Sequence, residues 1–334
     1  MYIIYHTDDS FLRRAIADFV EEWKNNSNLI QVNTSGSTGR PKSITLLKSH
    51  MEVSARMTGD FLDLRKGDTA LLCMSPETIA GKMMLVRALV LEMNLIVAPV
   101  SSTPLKGIDE SIDFAAMVPF QVEKSLDETP ENLKAIKKLI IGGGSISIAL
   151  WTHISEIPTL CYQTFGMTET ISHIAMRRIE TSASTYEALP EVQLTTKNDC
   201  LVITAPNLGI DHLETNDIVK LTENRFEWLG RKDFVINSGG IKIHPELVEQ
   251  KLENLINTPF FSFGLPNNQF GQKHILCIES TLLKFQKMDF FAILDKPIIP
   301  KEVYYFNSFT YTSSGKVNRL ETVKNIGNAE KQVL

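Results

Sequence analysis

The chain has no closely spaced pair of cysteines. Its four, Cys73, Cys161, Cys200 and Cys277, are scattered over 334 residues. Without a CxxC spacing, neither a zinc site nor a disulfide framework is indicated. A long apolar run is missing as well. The longest, near residues 85–100, is interrupted by Arg87, Glu92 and Asn94. It falls short of the ~20 apolar residues a membrane span requires, so no membrane insertion is expected. The N-terminus, MYIIYHTDDS, lacks the basic start and long apolar stretch of a secretion signal. These absences predict a soluble protein of a reducing compartment, the cytoplasm. There is no basic excess either. The net charge is −5, which speaks against a nucleic-acid partner. No internal repeat, low-complexity tract or Pro/Gly/Ser-rich linker divides the chain.

What is there is ordinary globular composition, 43% hydrophobic and 22% charged, with length for about two domains of roughly 100–200 residues. Residues 10–23 read as an amphipathic helix, with Phe11, Leu12, Ala15, Ile16, Phe19, Val20 and Trp23 at three- and four-residue spacing and Asp9 or Ser10 as cap. Residues 48–64 and 83–91 also read as helices. Apolar runs at residues 29–32, 69–74, 95–99, 113–118 and 139–141 read as strands. This alternation predicts an α/β domain with a mostly parallel sheet, whose ligands sit at the carboxyl ends of the strands. Polar or Gly-rich loops are expected at residues 33–42, 142–147 and 163–170. Beyond residue 180 the texture changes to short, antiparallel strands at residues 200–204, 218–222 and 226–229. From Arg231 the order reads hairpin, helix, hairpin, strand, with Pro245 in the first helical turn. The expected division is a large α/β domain, residues 1–230, and a small α+β domain, residues 231–334.

Several segments carry groups suited to chemistry. In Thr34-Ser35-Gly36-Ser37-Thr38-Gly39-Arg40-Pro41-Lys42, glycines let backbone N–H groups converge, while hydroxyls and Lys42 add donors and charge. That is the make-up of an anion cradle. Pro41 before Lys42 excludes a Walker A loop and with it a kinase or P-loop reading. Gly142, Gly143 and Gly144 follow a buried run and allow a flat ligand close to the backbone. In residues 162–170, Phe165 offers an aromatic face beside Gly166. Thr168 can bond a phosphate oxygen, and Glu169 can hold Mg²⁺, which takes one or two carboxylates together with phosphate oxygens. Asp217 and Arg231 suit ribose hydroxyls. Lys316 lies on a Gly loop near the C-terminus. Taken singly, each of these residues also reads as a turn or a solvated surface group.

The order of the segments resembles the acyl-adenylate-forming superfamily, which contains acyl-CoA synthetases, luciferases and peptide-synthetase adenylation domains. Residues 34–42 resemble its phosphate loop, and residues 162–170 its adenine and magnesium motif. Thr215-Asn216-Asp217 resembles its Thr-Gly-Asp motif with Asn in place of Gly. GRKDFVINSGGIKIHPELVE, residues 230–249, resembles its hinge motif, and residues 314–319 resemble the motif of its catalytic lysine. Only 33 residues precede the phosphate loop, far fewer than in most members. The short form, with IAGKMMLVRA at residues 79–88, looks most like the abbreviated o-succinylbenzoate–CoA ligases of menaquinone synthesis.

The resemblance implies an ATP-dependent ligase using Mg²⁺ and coenzyme A on a small carboxylic acid, through an acyl-adenylate. It implies that Thr34, Ser35, Gly36, Ser37, Thr38, Gly39 and Lys42 hold the β,γ-phosphates. Gly142, Gly143, Gly144, Phe165 and Gly166 would flank adenine, and Thr168 and Glu169 would serve phosphate and Mg²⁺. Asp217 and Arg231 would bind ribose, and Lys316 would bridge carboxylate and α-phosphate. Asp233 would be the hinge, with Ser238, Gly239 and Gly240 at the thiol tunnel. For the acid's second carboxylate, Lys82 and Arg87 are the candidates on one helix, and Lys82 is the preferred one. The alternatives are another acyl- or aryl-CoA ligase, an enzyme that loads a carrier protein, or a non-catalytic nucleotide-binding scaffold. The sequence leaves the oligomeric state open.

Overall fold

The computed structural model describes residues 2–33, 43–182, 184–280, 285–312 and 317–334. The uninterrupted apolar runs become strands buried on both faces. In the strand Thr69–Leu72, Ala70 and Leu72 join one core while Leu71 and the following Cys73 join another, as the two-residue side-chain period requires. Ile3–Tyr5, Asn94–Val97, Thr69–Leu72, Phe114–Met117, Lys138–Ile141 and Leu160–Gly166 lie side by side in that order, all parallel. Helices cover both faces. Ser10–Lys24, Lys48–Leu62 and Ile79–Val90 bury Leu12, Ile16, Phe19, Met51, Ala55 and Met83 in the first core. Pro119–Glu128, Pro130–Lys134 and Ile148–Ser155 bury Val122, Leu133 and Leu150 in the second.

The same sheet continues without a break into an antiparallel half: His173–Arg178, Tyr186–Ala188, Arg225–Arg231, Ile210–Thr222, Cys200–Ala205 and Gln193–Lys197. Twelve strands therefore form one surface, and the change of texture after residue 180 is a change of strand direction within it. A second, six-stranded sheet begins at Ile236–Ser238 and pairs it with Ile241–Ile243. Gly239 (φ +60°) and Gly240 (φ +84°) make the two-residue turn, a geometry that needs positive φ at both positions. The helix Pro245–Leu252, the hairpin Phe260–Asn267/Gly271–Glu279 and the strand Glu302–Phe306 follow in the expected order. This sheet also separates two cores, with Leu276, Ile278 and Val303 on one face and Ile275, Cys277 and Phe306 on the other. All four cysteines are buried and reduced. Burial pushes the Cys73 and Cys161 thiols up to about 12 and raises that of Cys277 as well.

Three local readings are corrected. Gln163, Thr164, Phe165 and Gly166 are strand, not loop, because they pair antiparallel with residues 173–177. Ser43–Leu47 is a strand the composition did not announce. It pairs with Leu29–Asn33 in a separate two-stranded sheet, in the register Asn33↔Ser43. The third helix starts at Ile79 rather than Met83, because the Thr78 hydroxyl accepts the Gly81 N–H at 3.2 Å and caps it.

Candidate active site

In the parallel half, strand order reverses between Thr69–Leu72 and Phe114–Met117. Open α/β sheets bind ligands outside the carboxyl ends at such a switch point. A cleft of about 800 Å³ lies there. Met74, Val118, Gly142, Gly143 and residues 164–169 line it, each at the end of one of four neighbouring strands. Leu213–Asp217 and Arg231 close it from the antiparallel half, and Ile44 brings the stem of the small hairpin to its wall.

Gly142 and Gly166 are required by close approach. A Cβ on Gly142 would meet the Thr164 hydroxyl at 2.3 Å, and one on Gly166 the Ser172 carbonyl oxygen at 2.3 Å. Phe165 lines the cleft, while its ring packs edge-on against Phe226 at 5.0 Å and Tyr186 at 5.7 Å. The core thus fixes its plane. Thr168 and Glu169 stand on a single 3₁₀ turn, Thr168–Thr170. The buried Thr170 hydroxyl accepts the Met167 N–H at 2.9 Å and pins that turn. The turn ends on Ile171 at φ +67°, a conformation a β-branched residue adopts only under constraint.

Glu169 is exposed at the cleft, and no group of three acidic, His or Cys ligands exists among the described residues. An exposed carboxylate at this place fits Mg²⁺, which takes one or two protein carboxylates and completes its shell with phosphate oxygens and water. Asp217 is buried. Its Oδ1 accepts the Trp228 indole N–H at 2.9 Å, and its backbone N–H reaches the Thr215 hydroxyl at 3.1 Å. One carboxylate oxygen is spent on orientation. Arg231 stands directly opposite Asp217 across the ladder.

Arg231 also reaches Asp233, Nη2 to Oδ2 at 3.3 Å. The Asn216 side-chain amide donates to the same oxygen at 3.3 Å. The residue that departs from the Thr-Gly-Asp pattern therefore holds the expected hinge residue. Ser238, Gly239 and Gly240 form the tip of the second sheet's hairpin and do not line the cleft, nor does Gly144. Residues 34–42, with Thr34, Ser35, Gly36, Ser37, Thr38, Gly39 and Lys42, lie outside the described residues, as does Lys316.

The two candidate cations are placed opposite to the expected preference. Lys82 lies outside the cleft, its Nζ 4.7 Å from the centre of the Phe19 ring. Arg87 lines the cleft and is buried. Five residues along a helix turn the direction by about 140°, and the face of Arg87 is the one that meets the cleft. Among the described residues no carboxylate pairs with Arg87, and its Nε–H has no partner. Burial pulls the guanidinium down to about 10, so it stays charged at neutral pH.

Behind it runs a hydrogen-bonded chain that no motif announces. Arg87 Nη2 donates to Ser172 Oγ at 2.7 Å, Ser172 Oγ meets His173 Nδ1 at 3.3 Å, and His173 Nε2 meets Thr58 Oγ1 at 3.1 Å. The Thr58 hydroxyl donates to the Ser54 carbonyl at 3.0 Å. That last direction assigns the others, with Nε2–H donating to Thr58 and Ser172 donating to Nδ1. The imidazole must be neutral. Burial, and then the charge of Arg87, hold its pKa well below the usual histidine value. Ser172 and His173 lie two and three residues beyond the motif that ends at Thr170, the only available pointer to them.

The AMP-binding enzyme family matches residues 8–199. A 2-succinylbenzoate–CoA ligase of Bacillus cereus is 26% identical over 354 aligned positions, covering 91% of this chain and 72% of the relative. One of Enterococcus faecalis is also 26% identical, covering 85% and 67%. Among solved structures, an AMP-forming acyl-CoA synthetase/AMP-acid ligase II-like protein from Dyadobacter fermentans is 33% identical, covers 95% of both chains and superposes with a TM-score of 0.66. The O-succinylbenzoate coenzyme A synthetase of Bacillus subtilis, solved with ATP and magnesium ion, shares the fold at TM-score 0.75 and 21% identity, covering 88% and 69%. The chain belongs to the AMP-binding enzyme family, and its class is the AMP-forming acid–thiol ligases.

Proposed function

We propose that this ligase acts on o-succinylbenzoate, in menaquinone synthesis. The observation that carries the reading is Arg87, a buried cation in the cleft wall with a free N–H and no carboxylate partner among the described residues. A buried guanidinium without a counter-ion is costly unless a ligand supplies one. An aromatic keto-diacid offers a carboxylate to activate and a second to pair with Arg87. Met74, Ile79, Met117 and Ile140 share the wall and suit its ring. The curated relatives named above are consistent with this choice.

ATP, Mg²⁺ and coenzyme A serve the class. In the first half-reaction a carboxylate oxygen of the acid attacks the α-phosphorus of ATP and pyrophosphate leaves. In the second, the CoA sulfur attacks the acyl carbon and AMP leaves. Bound at Glu169, Mg²⁺ would neutralise phosphate charge. The protein's own share is positioning and fixed charge. Gly142 and Gly143 would admit adenine beside Phe165, Thr168 would bond a phosphate, and Asp217 and Arg231 would hold ribose. Thr34–Lys42 would cradle the outer phosphates and Lys316 would bridge the reacting oxygens. We place the domain division after Gly230, with Asp233 as hinge and Ser238–Gly240 toward the thiol.

The test is pyrophosphate release with MgATP, CoA and a panel of acids, with the thioester identified by mass. Selective turnover of o-succinylbenzoate is expected. Turnover of other acids only would keep the ligase class and discard this substrate.

A further inference from the structure

The last residues of two motifs singled out in the sequence meet in space. Glu249 closes the hinge-like segment at residues 230–249, and Arg319 closes the lysine segment at residues 314–319. Arg319 Nη2 donates to Glu249 Oε2 at 2.7 Å, with only 17% and 16% of the two side chains exposed. The other carboxylate oxygen accepts the Ser262 N–H at 2.8 Å. The guanidinium carbon lies 4.7 Å from the centre of the Phe234 ring and 5.6 Å from that of Phe261. Phe234 adjoins Asp233 and shares its 3₁₀ turn. Arg319 opens the helix Arg319–Lys324, which Asn318 caps by accepting the Glu321 N–H. Val317 in turn bridges to Tyr311.

We propose that the Glu249–Arg319 pair positions Lys316 by locking the bridge residue Val317 and the helix that follow it onto the segment at residues 230–249, so that both turn as one body. The proposal rests on the adenylating-ligase reading, in which Lys316 serves the first half-reaction. Stability alone explains the pair poorly. A buried ion pair is often matched or bettered by apolar residues of similar volume, and here burial pushes the Glu249 carboxyl up to about 7 against the pull of Arg319. What apolar residues do not supply is direction. A planar guanidinium fixed by a carboxylate and two rings has one orientation, and the chain leaving it is fixed too.

The experiment compares the two half-reactions: acid-dependent ATP–pyrophosphate exchange, and thioester formation from supplied acyl-adenylate. The chains are wild type, Lys316→Ala, Arg319→Lys, and the apolar double replacement Glu249→Met/Arg319→Leu. Exchange is expected to fall at least tenfold in kcat in Arg319→Lys and in the double variant, with KM for ATP within twofold and thioester formation within threefold. The double variant is expected to keep the wild-type melting temperature. If Arg319→Lys and the double variant fold but keep wild-type exchange, or lose both half-reactions equally, the pair is merely structural and the proposal is overturned. A wild-type chain without exchange, or Lys316→Ala as active as wild type, removes the underlying reading and the proposal with it.

Discussion

On the proposed reading, Arg87 is the residue on which substrate choice turns. A charge-assisted hydrogen bond from a buried cation is worth about 1.5–3 kcal/mol. Replacing Arg87 by Ala should raise KM for the diacid by about 10–100-fold and leave benzoate nearly unchanged, measured by pyrophosphate release; equal effects on both acids would separate Arg87 from carboxylate recognition. Two buried histidines make stability depend on pH on the acid side. Burial holds His173 well below its ordinary pKa and His274 down to about 4, while the unfolded value is near 6.5. Above pH 6.5 both states are neutral. Below it the unfolded chain takes up protons the folded chain refuses, so stability falls as pH drops from 6.5 toward 4. Glu249, raised to about 7, works the other way, since the folded chain takes up its proton between pH 7 and 4.5. His274→Gln should therefore gain on wild type by up to about 3 kcal/mol between pH 6.5 and 4, read from urea midpoints. A pH-independent difference would disprove this assignment. The sequence could name Arg87 but not prefer it over Lys82, because facing is decided by which side of the helix meets the sheet. Ser172, His173, Thr58 and Trp228 were silent for a similar reason: each acts through a partner on another element.

At the scale of elements, the sharpest constraint is the bulge at Gly166. Its Cβ would lie 2.3 Å from the Ser172 oxygen and 2.5 Å from His173 Cα, both backbone atoms that cannot swing aside. Gly166→Ala should cost about 1–3 kcal/mol and, by moving Ser172, loosen Arg87. Gly327 has nothing within 4 Å, so Gly327→Ala should stay within about 0.5 kcal/mol. Thermal midpoints of the two variants decide it, and similar values would show that the bulge can relax. The parallel strands were legible because burial on both faces leaves an unbroken apolar run. Residues 163–166 were not, because Gln163 and Thr164 look like loop until the antiparallel partner supplies their hydrogen bonds. The long strand Ile210–Thr222 was legible only from Ile218 onward, since its first half carries exposed polar residues.

At the scale of the whole molecule, Asp233 receives Arg231 and Asn216 from the strands of the large sheet just before the second sheet begins. A hinge concentrates a large backbone change in a few residues. Asp233→Pro should slow thioester formation from supplied acyl-adenylate at least tenfold more than it slows adenylation, and Lys316→Ala should do the reverse, by about 10²–10³. Stopped-flow measurement of each half-reaction checks both, and equal slowing by Asp233→Pro would remove the hinge. The buried cysteines have a consequence of their own. An acyl-adenylate is an electrophile that any thiolate nearby would intercept. In this chain every sulfhydryl is buried, and burial raises the pKa of Cys73, Cys161 and Cys277 far above neutral pH. The activated acyl group therefore meets no exposed thiol of this chain. An intermediate formed in the cleft would then wait for a thiol from solution without being lost to a cysteine of its own chain.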